Sequence, residues 1–241
     1  MKKFYKNPLV LLTLGLLVIG ASTVGATRAA MISQSEADRV NFKTATFDVE
    51  ITGDVDNGQI QFKEIDEDES IKIGKLYKEN ISVKNTSGGN YDEYIRVVVR
   101  KSWKSESEDG EYRKNLSLTP ALIEIEVEPG WYINDDESTD EQTVYYRLTP
   151  VAQNEEVPFI SGIRVNDKVI REVQHGGTST TITNEYSYNG ACMDISIQAD
   201  AVQTNSGRDA ISAAWGIKDS FAGIDVSTGN KSTVNFVIED E

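Results

Sequence analysis

Two scarcities exclude most familiar chemistry: 241 residues hold one cysteine and one histidine. A single cysteine forms no disulfide within the chain. Cys192 stands in a strand-like run, where a free thiol is ordinarily a small buried apolar group; in an oxidising compartment it can instead join two chains. With only His175, the two imidazoles that a His-Glu-x-x-His zinc peptidase places one helical turn apart are missing. A Ser-His-Asp triad would have to use His175, which sits in the loop-like string Gln174-His175-Gly176-Gly177, with no Gly-x-Ser-x-Gly elbow beside it. No phosphate-binding or dinucleotide fingerprint is present, and Gly88-Gly89 and Gly176-Gly177 read as turns. Internal repeats and low-complexity linkers are also absent.

Positive charge is short as well. Lys and Arg number 24 against 39 Asp and Glu, a net charge of −15. Such a balance argues against nucleic acid, whose phosphates require basic patches, and against docking on anionic lipid. It suits a solvated surface that resists nonspecific association, with room for divalent cations. Long apolar runs are missing too. The apolar stretch Pro8 to Ala21 spans about 14 residues, against the roughly 20 that a bilayer core demands.

That stretch follows Lys2, Lys3 and Lys6 and precedes small residues, Val24-Gly25-Ala26-Thr27-Arg28-Ala29-Ala30. The order is that of a secretory signal, so residues 1–29 are expected to be cleaved rather than to anchor the chain. The removed part carries four basic residues and no acidic one. A mature chain of 20 basic and 39 acidic residues has a net charge of −19.

The residues around the expected cleavage point carry a family likeness. Gly25, Thr27 and Ala29, then Ile32, Ser33 and Glu36, then Asn41, Thr46 and Asp48 follow one another in the order and spacing of a known precursor pattern. In this stretch the chain resembles the TasA/camelysin family, Gram-positive secreted proteins that form biofilm-matrix fibres. It departs from the pattern at Gln34, where Asp is usual, at Ala45 for Gly, and at Phe47 and Val49 for Leu. The likeness extends loosely through Lys72 to Val99 and covers about a third of the chain. It implies cleavage between Ala29 and Ala30 by a dedicated signal peptidase, and a jelly-roll fold. It further implies a mature N-terminal arm, residues 30–43, that adds as a strand to a neighbouring subunit, with Ile32, Val40 and Phe42 filling its pockets. Camelysin is classed as a metallopeptidase, but the histidines for a familiar zinc route are missing here. No catalytic residue, metal ligand or cofactor is therefore assigned.

From Thr44 onward the chain reads as strands. Phe47, Val49 and Ile51 alternate with Asp48 and Glu50, and Asn57-Gly58 before Ile60 and Phe62 is a hairpin signal. Ile71 and Ile73, then Ile81 and Val83, lead to a break at residues 85–89. Ile95, Val97, Val99 and Trp103 oppose Arg96, Arg100 and Ser102, as a half-buried strand requires. The alternation returns at Ile123 to Val127, Val144 to Leu148, Ile163 to Val165, Met193 to Ala199 and Val234 to Ile238.

One segment has the helical period: Ser206 to Asp209 resembles a capping box, and Ile211, Ala214, Trp215 and Lys218 follow on one face. It is expected to be a helix of about ten residues packed on the sheet through Ile211 and Trp215. The pattern predicts a mainly β chain, an antiparallel β-sandwich over 44–241 with one short helix. Alternation alone does not separate a jelly-roll from an immunoglobulin-like topology.

Two acidic loops offer clustered oxygens for calcium: Asp54, Asp56 and Asn57, and Asp135, Asp136, Glu137, Asp140 and Glu141. Neither has the twelve-residue EF-hand spacing, and ordinary solvated turns explain both. Trp131, Tyr132, Tyr145 and Tyr186 are candidate stacking residues for a polysaccharide if the chain is a monomeric binding module; in a sandwich such aromatics are more often core. The expected function is a secreted, non-enzymatic matrix or cell-surface subunit. Its partners are further copies of itself or related subunits, and neither nucleic acid nor a stable membrane span after cleavage is expected. With no Leu-Pro-x-Thr-Gly motif or apolar C-terminal tail, surface retention is expected to be noncovalent.

Overall fold

Runs of β-branched and aromatic residues on alternate positions favour extended chain, since each face of a pleated strand meets a single environment. A computed structural model describes residues 48–65, 70–171, 173–178 and 181–238, with side chains described outside 171–186. The signal segment, Ala29 and Ala30, the arm with Ile32, Val40 and Phe42, and Phe47 lie outside the described residues.

The first strands are β1 (Val49–Gly53), β2 (Val55–Asp56), β3 (Gln59–Ile60), β4 (Leu76–Asn85), β5 (Glu93–Glu106) and β6 (Tyr112–Lys114). A 3-10 turn at Pro120–Leu122 precedes β7 (Ile123–Val127), β8 (Trp131–Asn134), β9 (Gln142–Arg147) and β10 (Glu156–Val165). After a second turn at Asp167–Arg171 come β11 (Val173–Thr178), β12 (Thr181–Tyr186) and β13 (Cys192–Gln203). The helix α1 (Gly207–Trp215), β14 (Ser220–Asp225) and β15 (Lys231–Asn235) complete the chain's described elements.

All strand pairings among the described residues are antiparallel. A four-stranded sheet runs β1-β4-β10-β7, and a nine-stranded sheet runs β15-β14-β8-β9-β5-β13-β3-β2 with β6 on β5. The two sheets pack face to face. Ile81 and Val83 of β4 and Phe159 and Ile163 of β10 meet Ile95, Val97 and Val99 of β5 and Ile195 and Ile197 of β13 in one buried cluster. This is the predicted mainly β sandwich.

The large sheet also buries part of its other face. Tyr94 and Val98 of β5 and Val144 and Tyr146 of β9 form a second cluster with Ile211 and Trp215 of α1, Phe221, Val234 and Phe236. The helix therefore packs on the sheet through the two residues its period singled out. Its start differs from the expectation. Ser206 sits in the left-handed region (φ 52°) and makes no side-chain cap bond. Gly207 behind it presses on the Tyr94 ring, where an added Cβ would come within 2.8 Å, so packing rather than a capping box sets the helix entrance. Gly216 ends the helix in the left-handed conformation (φ 70°), leaving Lys218 outside it.

Two further expectations are corrected. Asn57 and Gly58, both at positive φ (49° and 77°), do form a tight turn, but it joins β2 to β3 in the large sheet. β1 belongs to the other sheet, and Gly53 (φ 97°) is where the chain crosses over, so close to Asn80 that a Cβ would lie 1.8 Å from its carbonyl oxygen. His175, Gly176 and Gly177 are not loop residues. They lie in β11, where His175 is opposite Asn184 and Gly177 opposite Ile182. Two glycines lower strand propensity without preventing a hairpin ladder.

Candidate functional site

The described chain offers little catalytic material. No three His, Cys, Asp or Glu side chains converge as a metal site among the described residues. The two acidic loops disperse their carboxylates. Asp54 turns inward to Lys63 and to the Asn80 N–H, whereas Asp56 accepts from Asn57 Nδ2 at 3.0 Å. In the second loop Asp135 pairs with Lys231 (2.7 Å), Glu137 accepts from the Tyr146 hydroxyl (3.0 Å) and Glu141 pairs with Lys114 (2.6 Å). Trp131 and Tyr145 are buried in the main cluster and Tyr132 is half-buried against the second, so no stacking platform forms from them. Cys192 is exposed, not buried, because it is the first residue of β13, opposite Lys104 at the end of the ladder.

A groove of about 690 Å³ does form, where β1 of the small sheet runs alongside β13 of the large one. Its apolar lining is Val49 and Ile51 of β1, Val55 of β2, and Ile197 and Ala199 of β13. Asp48 and Glu50, both exposed, stand at its rim.

The sequence opens this space in a simple way. Along β13 the inward positions run Ile195, Ile197, Ala199, Ala201. The change from isoleucine to alanine withdraws three carbons per position on the side facing β1, and no other described side chain refills the gap.

Among the described residues, both strands bordering the groove have an edge without a continuous ladder partner. Among the described residues β1 pairs only with β4, from Val49↔Asn85 to Gly53↔Ile81. The Thr86 N–H donates to the Asp48 carbonyl on the β4 side, so Val49 and Ile51 turn their N–H and C=O groups to the open side. β13 pairs with β5 over its whole length, while its other edge is covered at one position, Ser196↔Gln59. The Ile197 N–H reaches the Gly58 carbonyl there (2.8 Å). By the same alternation, Ala199 and Ala201 direct their backbone groups outward, and none of these groups has a partner among the described residues. Open ladder edges beside an apolar groove are the elements that strand addition uses.

The surroundings are acidic and partly buried. Asn85, fully enclosed at the end of β4, ties the region together: its Nδ2 donates to the Tyr91 and Val151 carbonyls and its Oδ1 accepts from the Ser87 N–H. Beside it Glu93, with no exposure, faces inward from β5 near Asp48. Burial first, with the Asp48 charge in support, pushes the Glu93 carboxyl up to about 7. The Asp48 amide falls short of a hydrogen bond and only tempers the shift. At the other end of β1, Glu79 faces inward from β4, and burial with the neighbouring Asp54 and Glu64 charges pushes it up to about 7. Burial opposes the charge on Asp54 as well, but Lys63 and the Asn80 N–H outweigh it and hold that carboxyl below its usual range.

Neither glutamate stood out in the sequence, although the signal was there. Glu79 shares the inward parity of Tyr77, Ile81 and Val83, and Glu93 that of Ile95, Val97 and Val99. The groove itself was equally legible as the drop from Ile to Ala along β13. The expected strand-exchange residues Ile32, Val40 and Phe42 and the cleavage pair Ala29 and Ala30 lie outside the described residues. No family model, curated protein or solved structure matches this chain.

Proposed function

We propose that the protein is a secreted, non-enzymatic subunit of an extracellular or cell-surface assembly, built by inserting a strand of one copy into the groove between β1 and β13 of the next. The observation that carries this reading is the groove's pair of open ladder edges over an apolar floor. An incoming strand bonds to main chain on either side and buries alternate side chains, so affinity and register come from one geometry. The segment directly ahead of β1 offers suitable chemistry: Val40 and Phe42 occupy alternate positions, with Arg39 and Lys43 on the opposite parity, facing the charge type of Asp48 and Glu50. The likeness to the TasA/camelysin family supports the same reading, with cleavage between Ala29 and Ala30 by a dedicated signal peptidase freeing the arm 30–43. The jelly-roll version of the sandwich goes with it.

The test compares three chains by light scattering and electron microscopy: one starting at Ala30, one with extra residues before Ala30, and one lacking residues 30–43. Filaments from the first alone are expected. Filaments from the chain lacking residues 30–43 would overturn the mechanism, and monomers from all three would move the groove to a monomeric surface binding module. Val40→Asp and Phe42→Asp are each expected to abolish filaments while leaving the thermal midpoint of the monomer unchanged.

A further inference from the structure

β1 is flanked at both ends by buried acid. At its start Asp48 lies beside Glu93, which is fully enclosed; just past its end Asp54 lies beside Glu79, about 5% exposed. No carboxylate oxygen of either glutamate has a hydrogen-bond partner among the described residues. A carboxylate taken out of water without donors or a cation is costly, and the neutral acid is the form such a site favours.

The charges around each are few. Asp54, Glu64 and Lys63 face Glu79, from the β1–β2 connection and the segment after β3. Lys63 is already engaged by Asp54, and Glu64 by Lys75. Asp48 is the charge facing Glu93. Both glutamates thus meet an aspartate belonging to an end of β1, and among the described residues the strand between those aspartates is held by a ladder on one side only, over five residues.

We propose that β1 is a proton-gated strand, docked on β4 while Glu79 and Glu93 are neutral and loosened at both ends when the two ionise against Asp54 and Asp48. Burial brings both carboxyls into titration close to neutrality, so the change falls between mildly acid and mildly alkaline conditions. Release of β1 stands by itself. Its consequence for assembly, that a wall of the strand-accepting groove shifts with pH, rests on the function proposed above.

Hydrogen exchange with mass readout on the intact protein, corrected for the pH dependence of intrinsic exchange, tests this directly. From pH 5.5 to 8.5, protection of a peptide spanning β1 is expected to fall about tenfold or more relative to one spanning β9. The double variant Glu79→Gln with Glu93→Gln is expected to keep its protection across the range. Constant protection in the natural chain would overturn the proposal. So would a fall that persists in the double variant, or one that β9 shares in full. Should the double variant not fold, Asp48→Asn, an exposed position, removes the facing charge at one end and is expected to retain protection of the first residues of β1 at pH 8.5; loss there as in the natural chain would overturn it. Exchange is read on single subunits, so absence of filaments at every pH would sink the strand-accepting groove and leave the gating result standing.

Discussion

Asn85 shows how one side chain can tie three separate stretches of backbone together. It is fully buried, and its amide satisfies the Tyr91 and Val151 carbonyls and the Ser87 N–H at once. Asn85→Ala leaves the Ser87 N–H without its acceptor and removes one donor each from the Tyr91 and Val151 carbonyls, which keep the Ser87 hydroxyl and the Glu93 N–H; it is expected to cost about 1–3 kcal/mol, read as a lower denaturant midpoint with an unchanged slope. Trp131 has the same weight in the apolar core. It is fully buried, its ring centroid lies 4.8 Å from that of Phe159, and its indole N–H donates to the Pro158 carbonyl. Parity made much of this scale readable in advance: Ile95, Val97, Val99 and Trp103 all face the core as their alternation implied. What parity did not reveal was the residue's position along its strand. Cys192 is exposed because it begins β13, and Trp131 and Tyr145 are buried because β8 and β9 lie inside the sheet order.

At the scale of elements, α1 converts one face of the large sheet from solvent-facing to buried. Trp215 lies 5.3 Å from the Tyr146 ring, and Phe221 and Phe236 surround the same ring at 4.9 and 5.7 Å. Trp215→Ala is expected to cost about 3–5 kcal/mol and to abolish most near-ultraviolet ellipticity from this cluster, with the main core's Trp131 signal retained. The helix was legible because its period changes from 2 to 3.6 within a few residues. Its exit at Gly216 comes before the expected Lys218, and its entrance was not legible either, because the Gly207–Tyr94 contact rather than a side-chain cap sets it. The β11–β12 hairpin escaped for a related reason: its ladder runs through Gly176 and Gly177, which carry no side-chain pattern to read. The partition of β1 and β2–β3 between two sheets could not be read either, since sheet membership is a tertiary choice made at Gly53.

For the whole molecule, charge and proton uptake set the working conditions. Glu79 and Glu93 bind protons more tightly folded than unfolded, so the penalty for ionising them is absent below the unfolded carboxylate pKa, grows as pH rises towards 7 and stays constant above it. Each is expected to cost the fold on the order of 1–3 kcal/mol at pH 8. Asp54 and Glu124 act with the opposite sign, and the stability they provide is lost as pH falls through their lowered values. Chemical denaturation across pH 3–9 should therefore show a maximum near pH 5, and the two Glu→Gln changes together should flatten the alkaline limb. The chain from Ala30 onward carries a net charge of −19, so copies repel one another and the assembly proposed above is expected to accelerate with added sodium chloride, a trend that light scattering would register directly.

The unbroken ladder between β5 and β13 has a further meaning in time. Twelve successive pairs, from Lys104↔Cys192 to Glu93↔Gln203, join segments about a hundred residues apart in the chain. Synthesis runs from the N-terminus, so β5 gains its β13 neighbour only once the segment from Cys192 onward has been made. Proteins dominated by such distant pairings gain their structure over milliseconds to seconds rather than microseconds.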